Sequence, residues 1–338
     1  EKIGVALSGG LDSRMIFAAI NTLYPEYRCY AYTFGKKNCN DIKIARAVVS
    51  RSRWKHDVYE FTPHNWFDAR IPTVWLTDGM MNIKHMHGSE FMQEISSHID
   101  INMNGYAGDV VLGGGFLNSA NLDRRINADI ASQFYKHHAP HAHFDDPFYN
   151  IPHMEPHIYM NRVRRFTNMG TIAALPHVEQ RKPFFDNDLL EYVFSIPDEY
   201  RIGNRLYRDV LLKNFPEFFV NIPWQKTGRV IAATEPRGVL HKYRAKLGRL
   251  PVRLGLVEGS NDYTNYPHWI RRGELRGCLK SLLKRDGSCY AALTERDFEQ
   301  EFLNPHMGNR LADKSENILR AATVELYLRQ LHTNSIMA

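Results

Sequence analysis

The sequence predicts an α/β protein with a doubly wound parallel sheet and a mostly helical C-terminal part. Short apolar runs alternate with segments of helical spacing over residues 1–104, and such alternation is typical of parallel strands joined by helices. The first run, Ile3-Gly4-Val5-Ala6-Leu7, is continuously apolar, as expected of a strand that is buried on both faces. Helical patterns dominate after residue 158.

The other elements are predicted in chain order from the same two patterns. Ser8-Gly9-Gly10 ends the first strand, and apolar residues at helical spacing follow as far as Leu23. Further strands are predicted over residues 29–34, 57–61 and 101–104, with helices over residues 41–49 and 90–98. In the C-terminal part we expect helices over residues 161–175, 188–195 and 317–331. Ligands of doubly wound sheets lie beyond the carboxyl ends of the strands.

Length and composition set the limits of the interpretation. At about 150 residues per domain, 338 residues correspond to about two domains. We expect an α/β core over residues 1–135, a His- and Pro-rich loop over residues 136–158 and a mostly helical part over residues 159–338. Because the chain starts at Glu1 with a strand almost at once, we expect it to be part of a longer protein.

Charge, hydropathy and cysteine content exclude several classes of protein. No apolar run approaches the roughly 18 residues of a membrane span. The net charge of +6 suggests anionic ligands. The 4 cysteines include no Cys-x-x-Cys pair and are too few for a disulfide framework. We therefore expect a cytoplasmic protein without a signal peptide.

One motif carries the chemistry: Ser8-Gly9-Gly10-Leu11-Asp12-Ser13, which we call the opening loop. Its glycines permit a sharp turn, and backbone N–H groups at a helix N-terminus suit a phosphate or pyrophosphate. Ser8 and Ser13 add hydroxyl donors. Asp12 beside an anion predicts Mg²⁺, which prefers carboxylate and phosphate oxygens together. The alternative is that Asp12 or Ser13 caps the helix; the complete motif at a strand–helix junction favours pyrophosphate.

The opening loop resembles the pyrophosphate (PP) loop of the N-type ATP pyrophosphatases. Within that superfamily, the chain resembles the synthetase domain of asparagine synthetase B-type enzymes. Thr33-Phe34-Gly35 follows the second strand, where the family packs backbone against adenine. Residues 104–114 resemble the family's Ser-Gly-Glu-Gly-Ala-Asp-Glu-Leu-Phe-Gly-Gly. Residues 181–186 resemble its Arg-x-Pro-Phe-Leu-Asp, and residues 223–228 resemble the segment that holds its active-site lysine.

The resemblance implies a two-step reaction that uses ATP and Mg²⁺. A substrate carboxylate attacks the α-phosphate, pyrophosphate leaves, and ammonia or an amine then converts the acyl-adenylate into an amide and AMP. Mg²⁺ would be held by Asp12 and Asp109, and Lys226 would neutralise charge at the α-phosphate or the developing oxyanion. The alternative for Lys226 is an exposed lysine after a helix. The implied nucleotide-binding residues are Ser8, Gly9, Gly10, Asp12, Ser13, Phe34 and Gly105.

Two residues depart from the family pattern. Tyr106 stands where the family has a glutamate that helps to deprotonate or orient the amine, and Val110 stands where it has a second acid. Tyr106 is the candidate catalytic base at this position, but its pKa, ordinarily about 10, would need a strong perturbation. The 338 residues include no segment that resembles the family's glutaminase domain, so we expect the nitrogen source to be ammonia, a substrate amine, an N-terminal glutaminase domain that was removed, or a separate amidotransferase.

Two other functions compete with the synthetase. A PP-loop enzyme that modifies tRNA would use the basic runs at residues 237–257 and 271–285. Such runs are usually solvated helix faces, so we do not expect a nucleic-acid partner. A catalytically impaired ATP-binding regulator would account for Tyr106 and Val110. The histidines of residues 136–158, including His141 and His143, favour a polar surface loop or lid over a zinc site.

Overall fold

A computed structural model of the chain describes residues 1–119, 121–122, 125–134, 150, 153–232 and 262–337. Its strands form one sheet in the order β3-β2-β1-β4-β5. Every neighbouring pair is parallel, and helices flank the sheet, which confirms the predicted doubly wound α/β fold. The strands are Ile3–Ala6 (β1), Tyr30–Gly35 (β2), Lys55–Glu60 (β3), Ile101–Met103 (β4) and Glu179–Arg181 (β5).

The helices before β5 include those predicted as far as Leu23 and over residues 41–49. They are Asp12–Leu23 (α1), Asn40–Val49 (α2), Phe67–Leu76 (α3), Met92–Ile95 (α4), Gly108–Val111 (α5), Ala128–Phe134 (α6), Glu155–Ile158 (α7) and Met169–Ile172 (α8). Ile83–His85 and Ser89–Phe91 are 3₁₀ turns, and Tyr159–Thr167 is a π-helix.

Helices follow β5 as predicted for the C-terminal part. They are Asn187–Phe194 (α9), Arg205–Asn214 (α10), Pro216–Phe219 (α11), Tyr266–Trp269 (α12), Gly273–Leu282 (α13), Cys289–Thr294 (α14), Asn304–Gly308 (α15) and Ser315–Met337 (α16). The described residues of this part also form the 3₁₀ turns Pro183–Phe185, Asp198–Tyr200 and Ile202–Asn204 and the π-helix Glu299–Leu303. None of the described helices combines the length and the low polarity that crossing a bilayer requires.

The strand pattern reflects burial on both faces of the sheet. Ala31 on β2 packs into the same core as Val5 and Phe17, whereas Tyr30 and Tyr32 pack into a cluster on the opposite face. Because successive side chains of a strand point to opposite faces, both faces of β2 need apolar or aromatic residues. This is why β1 and β2 are continuous apolar runs in the sequence.

Strand β5 is not predicted by the sequence pattern. Glu179–Arg181 pairs with β4 through Ile101, Asn102 and Met103, although its own residues are exposed or half-buried. An edge strand of charged and amide residues has no apolar run that would reveal it. The strand belongs to the part after residue 158 and completes the sheet, while the domain boundaries given above remain a prediction.

Three sequence predictions are corrected by the structure. The helix expected over residues 90–98 is only a 3₁₀ turn followed by α4, and the one expected over residues 161–175 starts as a π-helix and ends with α8. The end of the expected loop over residues 136–158 is the helix α7, where Pro156 occupies the first turn, which tolerates proline. His141, His143 and the basic run 237–257 lie outside the described residues.

A second apolar core joins the C-terminal helices to the segment after β3. It contains Trp66, Val74, Tyr266 and Ile318, and it encloses the guanidinium of Arg70. Both partners of the ion pair that Arg70 forms with Glu90 are buried, and the charged atoms lie 2.7 Å apart.

We predict that Glu90→Gln lowers the free energy of unfolding by about 3–5 kcal/mol, because Arg70 then keeps a buried charge without a counter-ion. The measurement is urea unfolding at neutral pH. The matched control is Glu301→Gln in the exposed pair with Arg296, which should leave the stability nearly unchanged. Equal losses in the two variants would contradict the prediction.

Candidate active site

A cavity of about 500 Å³ opens at the carboxyl ends of β1 and β4. We call it the active-site cavity. Five stretches of the chain line it: the end of β1 with the opening loop, the segment from β4 to α5, Gly115, the residue before α10, and residues 224–226. Its lining residues are Ala6, Ser8, Gly10, Leu11, Asp12, Ser13, Asn104, Gly105, Asp109, Gly115, Asn204, Trp224, Gln225 and Lys226.

The opening loop is held by its own hydroxyl groups. The N–H of Ser8 donates to Oγ of Ser13 at 3.0 Å, and the N–H of Gly10 donates to Oγ of Ser8 at 3.1 Å. Leu11 is the N-cap of α1, and no side chain caps that helix. Neither Asp12 nor Ser13 is therefore a helix cap, and the capping alternative does not explain the motif.

Gly9 turns away from the cavity. Its N–H donates to Oδ1 of Asp41 at 3.0 Å, and its carbonyl accepts from the N–H of Gln225 at 3.1 Å. A Cβ at Gly9 would lie 2.6 Å from Cβ of Gln225, so close packing accounts for this glycine. The expectation that Gly9 offers its amide to a phosphate is not supported by this arrangement.

Asp12 is the centre of the site. Its Oδ1 accepts from the hydroxyl of Tyr207 at 2.9 Å, and its Oδ2 accepts from the N–H of Asp109 at 3.1 Å. Burial, followed by the nearby Asp109 carboxylate, raises the pKa of Asp12 to about 7, although both hydrogen bonds and Lys226 act in the opposite direction. Burial also raises the pKa of Tyr207, which therefore remains a hydrogen-bond donor.

Two glycines allow the segment after β4 to approach Asp12. A Cβ at Gly105 would lie 2.7 Å from the backbone nitrogen of Ser13. A Cβ at Gly108 would lie 2.8 Å from Cγ of Asp12 and 2.9 Å from the ring of Phe184. Any larger residue at these positions would move Asp109 away from Asp12.

The donor set fits a magnesium ion. Asp12 and Asp109 line the cavity together with the hydroxyls of Ser8 and Ser13, so its side chains on this wall offer the oxygen ligands that Mg²⁺ prefers. Burial is the main cause of the raised pKa of Asp12, and repulsion by the neighbouring Asp109 carboxylate raises it further. A divalent cation would offset that repulsion.

Lys226 reaches the cavity on a segment that is bound to the opening loop. We call residues 222–229 the lysine segment. The N–H of Trp224 donates to the carbonyl of Arg229 at 2.8 Å, which closes a turn, and the ammonium of Lys226 lies 5.2 Å from the centre of the Trp224 ring. Lys226 is exposed, as the alternative interpretation requires, but it also lines the cavity and lowers the pKa of Asp12.

Arg14, which the sequence analysis missed, holds the lysine segment in place. This fully buried side chain of α1 donates to the carbonyls of Gly9 at 3.2 Å, Ile222 at 3.2 Å and Pro223 at 2.8 Å. Burial lowers the pKa of Arg14 to about 10, so the guanidinium is still charged at neutral pH. A charged residue at the start of an otherwise apolar helix face was the available signal.

Besides Gly9, two predicted site residues do not line the cavity. The hydroxyl of Tyr106 donates to the carbonyl of Val163 at 2.8 Å, and burial raises the pKa of this phenol, which is the opposite of what a base needs. The ring of Phe34 follows the alternation of β2 and stacks on Phe91 at 6.0 Å. A contact of the Phe34 backbone with adenine remains a prediction.

A buried ionic network supports the wall that carries Asp109. Arg201 donates to Glu155 at 2.7 Å and to the carbonyl of Val111 at 3.3 Å, and it also binds Asp198. His153, Glu155 and Asp198 have ligand atoms within 4.8 Å of one another. Because Arg201 already compensates both carboxylates, we assign the cluster to the support of α5 rather than to a second metal.

The fold and the site define a doubly wound α/β protein with a cavity that two acids and a lysine line at the carboxyl edge of its sheet. The chain belongs to the asparagine synthase family, whose model matches residues 1–218 and thus more than half of the chain. That family comprises ATP-dependent amide-forming synthetases, which usually use Mg²⁺. The match ends before the lysine segment. No curated protein matches the chain.

We predict that Asp12→Asn stabilises the metal-free protein relative to wild type, and does so more strongly at about pH 8 than at about pH 5. The folded protein binds the Asp12 proton up to a pKa of about 7, against an ordinary 3.8, so wild-type stability falls by as much as about 1.4 kcal/mol per pH unit between these values. Urea unfolding in EDTA measures the difference.

Addition of Mg²⁺ gives the complementary measurement. It should stabilise wild type at about pH 8 and leave Asp12→Asn unaffected. The exposed Asp209→Asn on α10 serves as the control and should follow wild type in both experiments. A stability difference between Asp12→Asn and wild type that does not change with pH would show that Asp12 is not strained in the folded protein.

Proposed function

We propose that this chain binds ATP with Mg²⁺ in the active-site cavity, activates a carboxylate as an acyl-adenylate and forms an amide with ammonia or an amine. One observation carries the proposal: Asp12, Asp109 and Lys226, which lie far apart in the sequence, line one cavity beside the opening loop. Membership of the asparagine synthase family supports it.

The opening loop and α1 would hold the phosphates that leave as pyrophosphate. The N–H groups of Ser8 and Gly10 are bonded only to serine hydroxyls, which can rotate and exchange these donors for phosphate oxygens. Gly10 and Gly105 leave room for close approach. The positive end of the α1 dipole and the charge of Arg14 behind the loop both favour an anion here.

Asp12 and Asp109 would hold Mg²⁺, which when bound supplies charge neutralisation to the triphosphate. Lys226 would add a positive charge at the α-phosphate or at the developing oxyanion. The hydroxyl of Tyr207 keeps the carboxylate of Asp12 oriented toward Asp109. We assign no residue to deprotonation of the amine, because Tyr106 and Val110 are both buried in the core.

The nitrogen source and the acid belong to the same proposal. Ammonia from a glutaminase domain or a separate amidotransferase, or the amine of a second substrate, would attack the activated carboxyl. The carboxylate is a small molecule of unknown identity. We do not propose a nucleic-acid partner.

The binding step is tested by calorimetry with Mg²⁺ and α,β-methylene-ATP, whose phosphate bridge at the reacting bond is not cleaved. We expect Asp12→Asn and Asp109→Asn to weaken binding at least tenfold, and Lys226→Gln to weaken it several-fold, because each removes a charge that the triphosphate or its metal requires. The exposed variants Asp209→Asn and Lys213→Gln are matched controls. Wild-type affinity in all three site variants would refute the assignment of the cavity.

A second candidate function is an ATP-binding regulator without turnover. The observation in its favour is that both family acids are replaced by core residues, Tyr106 at 6% and Val110 at 9% exposure. A panel of carboxylic acids with ammonia and simple amines, assayed for AMP and pyrophosphate, separates the two functions. AMP formation that Lys226→Gln reduces at least a hundredfold supports the synthetase, whereas ATP binding without AMP formation across the panel supports the regulator.

A further inference from the structure

A second cavity, of about 370 Å³, lies among the C-terminal helices. We call it the arginine cavity, because Arg271, Arg272, Arg276 and Arg310 line it, against the acids Asp262 and Asp313. It shares no lining residue with the active-site cavity. Positive charge is in excess in this concave space, which has the size of a small-molecule site.

Arg271 builds the wall of the arginine cavity. Its guanidinium donates to the carbonyls of Pro267, His306 and Ala312 and approaches Nδ1 of His306. These acceptors join α12 to the segment that follows α15, so Arg271 fixes the two sides of the cavity relative to each other. Because its nearest acceptors are neutral, its positive charge still acts on the space that it borders.

Arg272 and Arg276 are the groups available to a ligand. They are exposed, and over the described ranges neither guanidinium has an ion-pair or hydrogen-bond partner. Arg272 is the N-cap residue of α13, Arg276 lies four residues further on within that helix, and both line the cavity. Three other exposed arginines of this part are in ion pairs: Arg296 with Glu301, Arg320 with Glu316 and Arg329 with Glu325. Arg285 has no ion pair among the described residues, but it does not line the cavity. Arg272 and Arg276 combine an unpaired guanidinium with a place in the cavity wall.

Arg271 lies close to a second positive charge of the cavity, that of Arg310. Burial lowers the pKa of Arg271, Asp313 raises it, and repulsion by the Arg310 guanidinium lowers it to a smaller extent than these two effects. Asp313 offsets part of this charge, but its Oδ1 already accepts from the N–H and hydroxyl of Ser315. An anion would relieve this repulsion.

We propose that the arginine cavity binds a small dianion, a phosphate ester or a dicarboxylate, through Arg272, Arg276 and Arg310. Guanidinium groups present paired N–H donors that match the oxygens of both groups. The volume of about 370 Å³ admits a compact metabolite. The proposal does not depend on ATP binding, because the two cavities are separate.

The test is calorimetry with sodium phosphate and, separately, sodium succinate, at low ionic strength and in EDTA. We expect the double variant Arg272→Gln/Arg276→Gln to bind at least tenfold more weakly than wild type. The matched control, Lys284→Gln/Arg285→Gln, removes the same charge from the exposed segment just after α13 and should stay within about twofold of wild type. Whichever anion binds more tightly identifies the phosphate or the carboxylate source.

Three results would overturn the proposal. Wild-type affinity in the Arg272→Gln/Arg276→Gln variant would place the bound anion elsewhere, for example at the opening loop. Equal weakening of anion binding in the two double variants would show that only the general surface charge attracts the anion. Tight binding of single-stranded RNA that both double variants weaken equally would lead to the same conclusion. Absence of phosphate and succinate binding to wild type would also refute it. Arg276→Gln alone, judged by circular dichroism, serves if the double variant does not fold.

Discussion

The candidate site depends on one carboxylate that is held between two donors. Asp12 accepts from the hydroxyl of Tyr207 and from the amide of Asp109, so it joins the start of α1, the start of α5 and the helix α10. Each donor favours the ionised form, yet burial and the neighbouring Asp109 outweigh them and raise its pKa to about 7. The fold thus keeps two acids together at a cost in stability, as is typical of sites that are organised for a cation.

The guanidinium of Arg14 brings a positive charge to the same site. Arg14 is buried behind the opening loop and binds carbonyl oxygens on both the loop and the lysine segment. Since the acceptors are neutral, its charge is not cancelled locally, and the opening loop lies in a positive field. Arg14 therefore has two effects: it fixes the distance between the loop and Lys226, and it makes the loop attractive to an anion.

Local sequence patterns predict what depends on neighbours in the chain and miss what depends on distant contacts. The apolar runs of β1 to β4 identify the buried strands, and motif spacing correctly brings Asp12, Gly105, Asp109 and Lys226 to one cavity. The local pattern marks Arg14 only as a charge on an apolar helix face and gives no signal for Tyr207, because their partners lie up to 209 residues away. A motif also does not say which way a side chain faces, which is why the motif alone places the side chain of Tyr106 in the site.

Tyr106 and Val110, the two departures from the family motif, are both buried. The ring of Tyr106 packs edge-on against Phe185, its hydroxyl is satisfied by the carbonyl of Val163, and Val110 lies in the same core. A glutamate in either place would be a buried carboxylate, which costs several kcal/mol unless it is paired. With tyrosine and valine at these two positions, the segment after β4 packs into the core instead of carrying buried charges. The acids Asp12 and Asp109 line the cavity. The residues suited to phosphate and metal are therefore intact in this chain, whereas the wall that would handle the amine has become part of the core. Under the proposed function, nucleotide binding and amide formation therefore depend on different parts of the site.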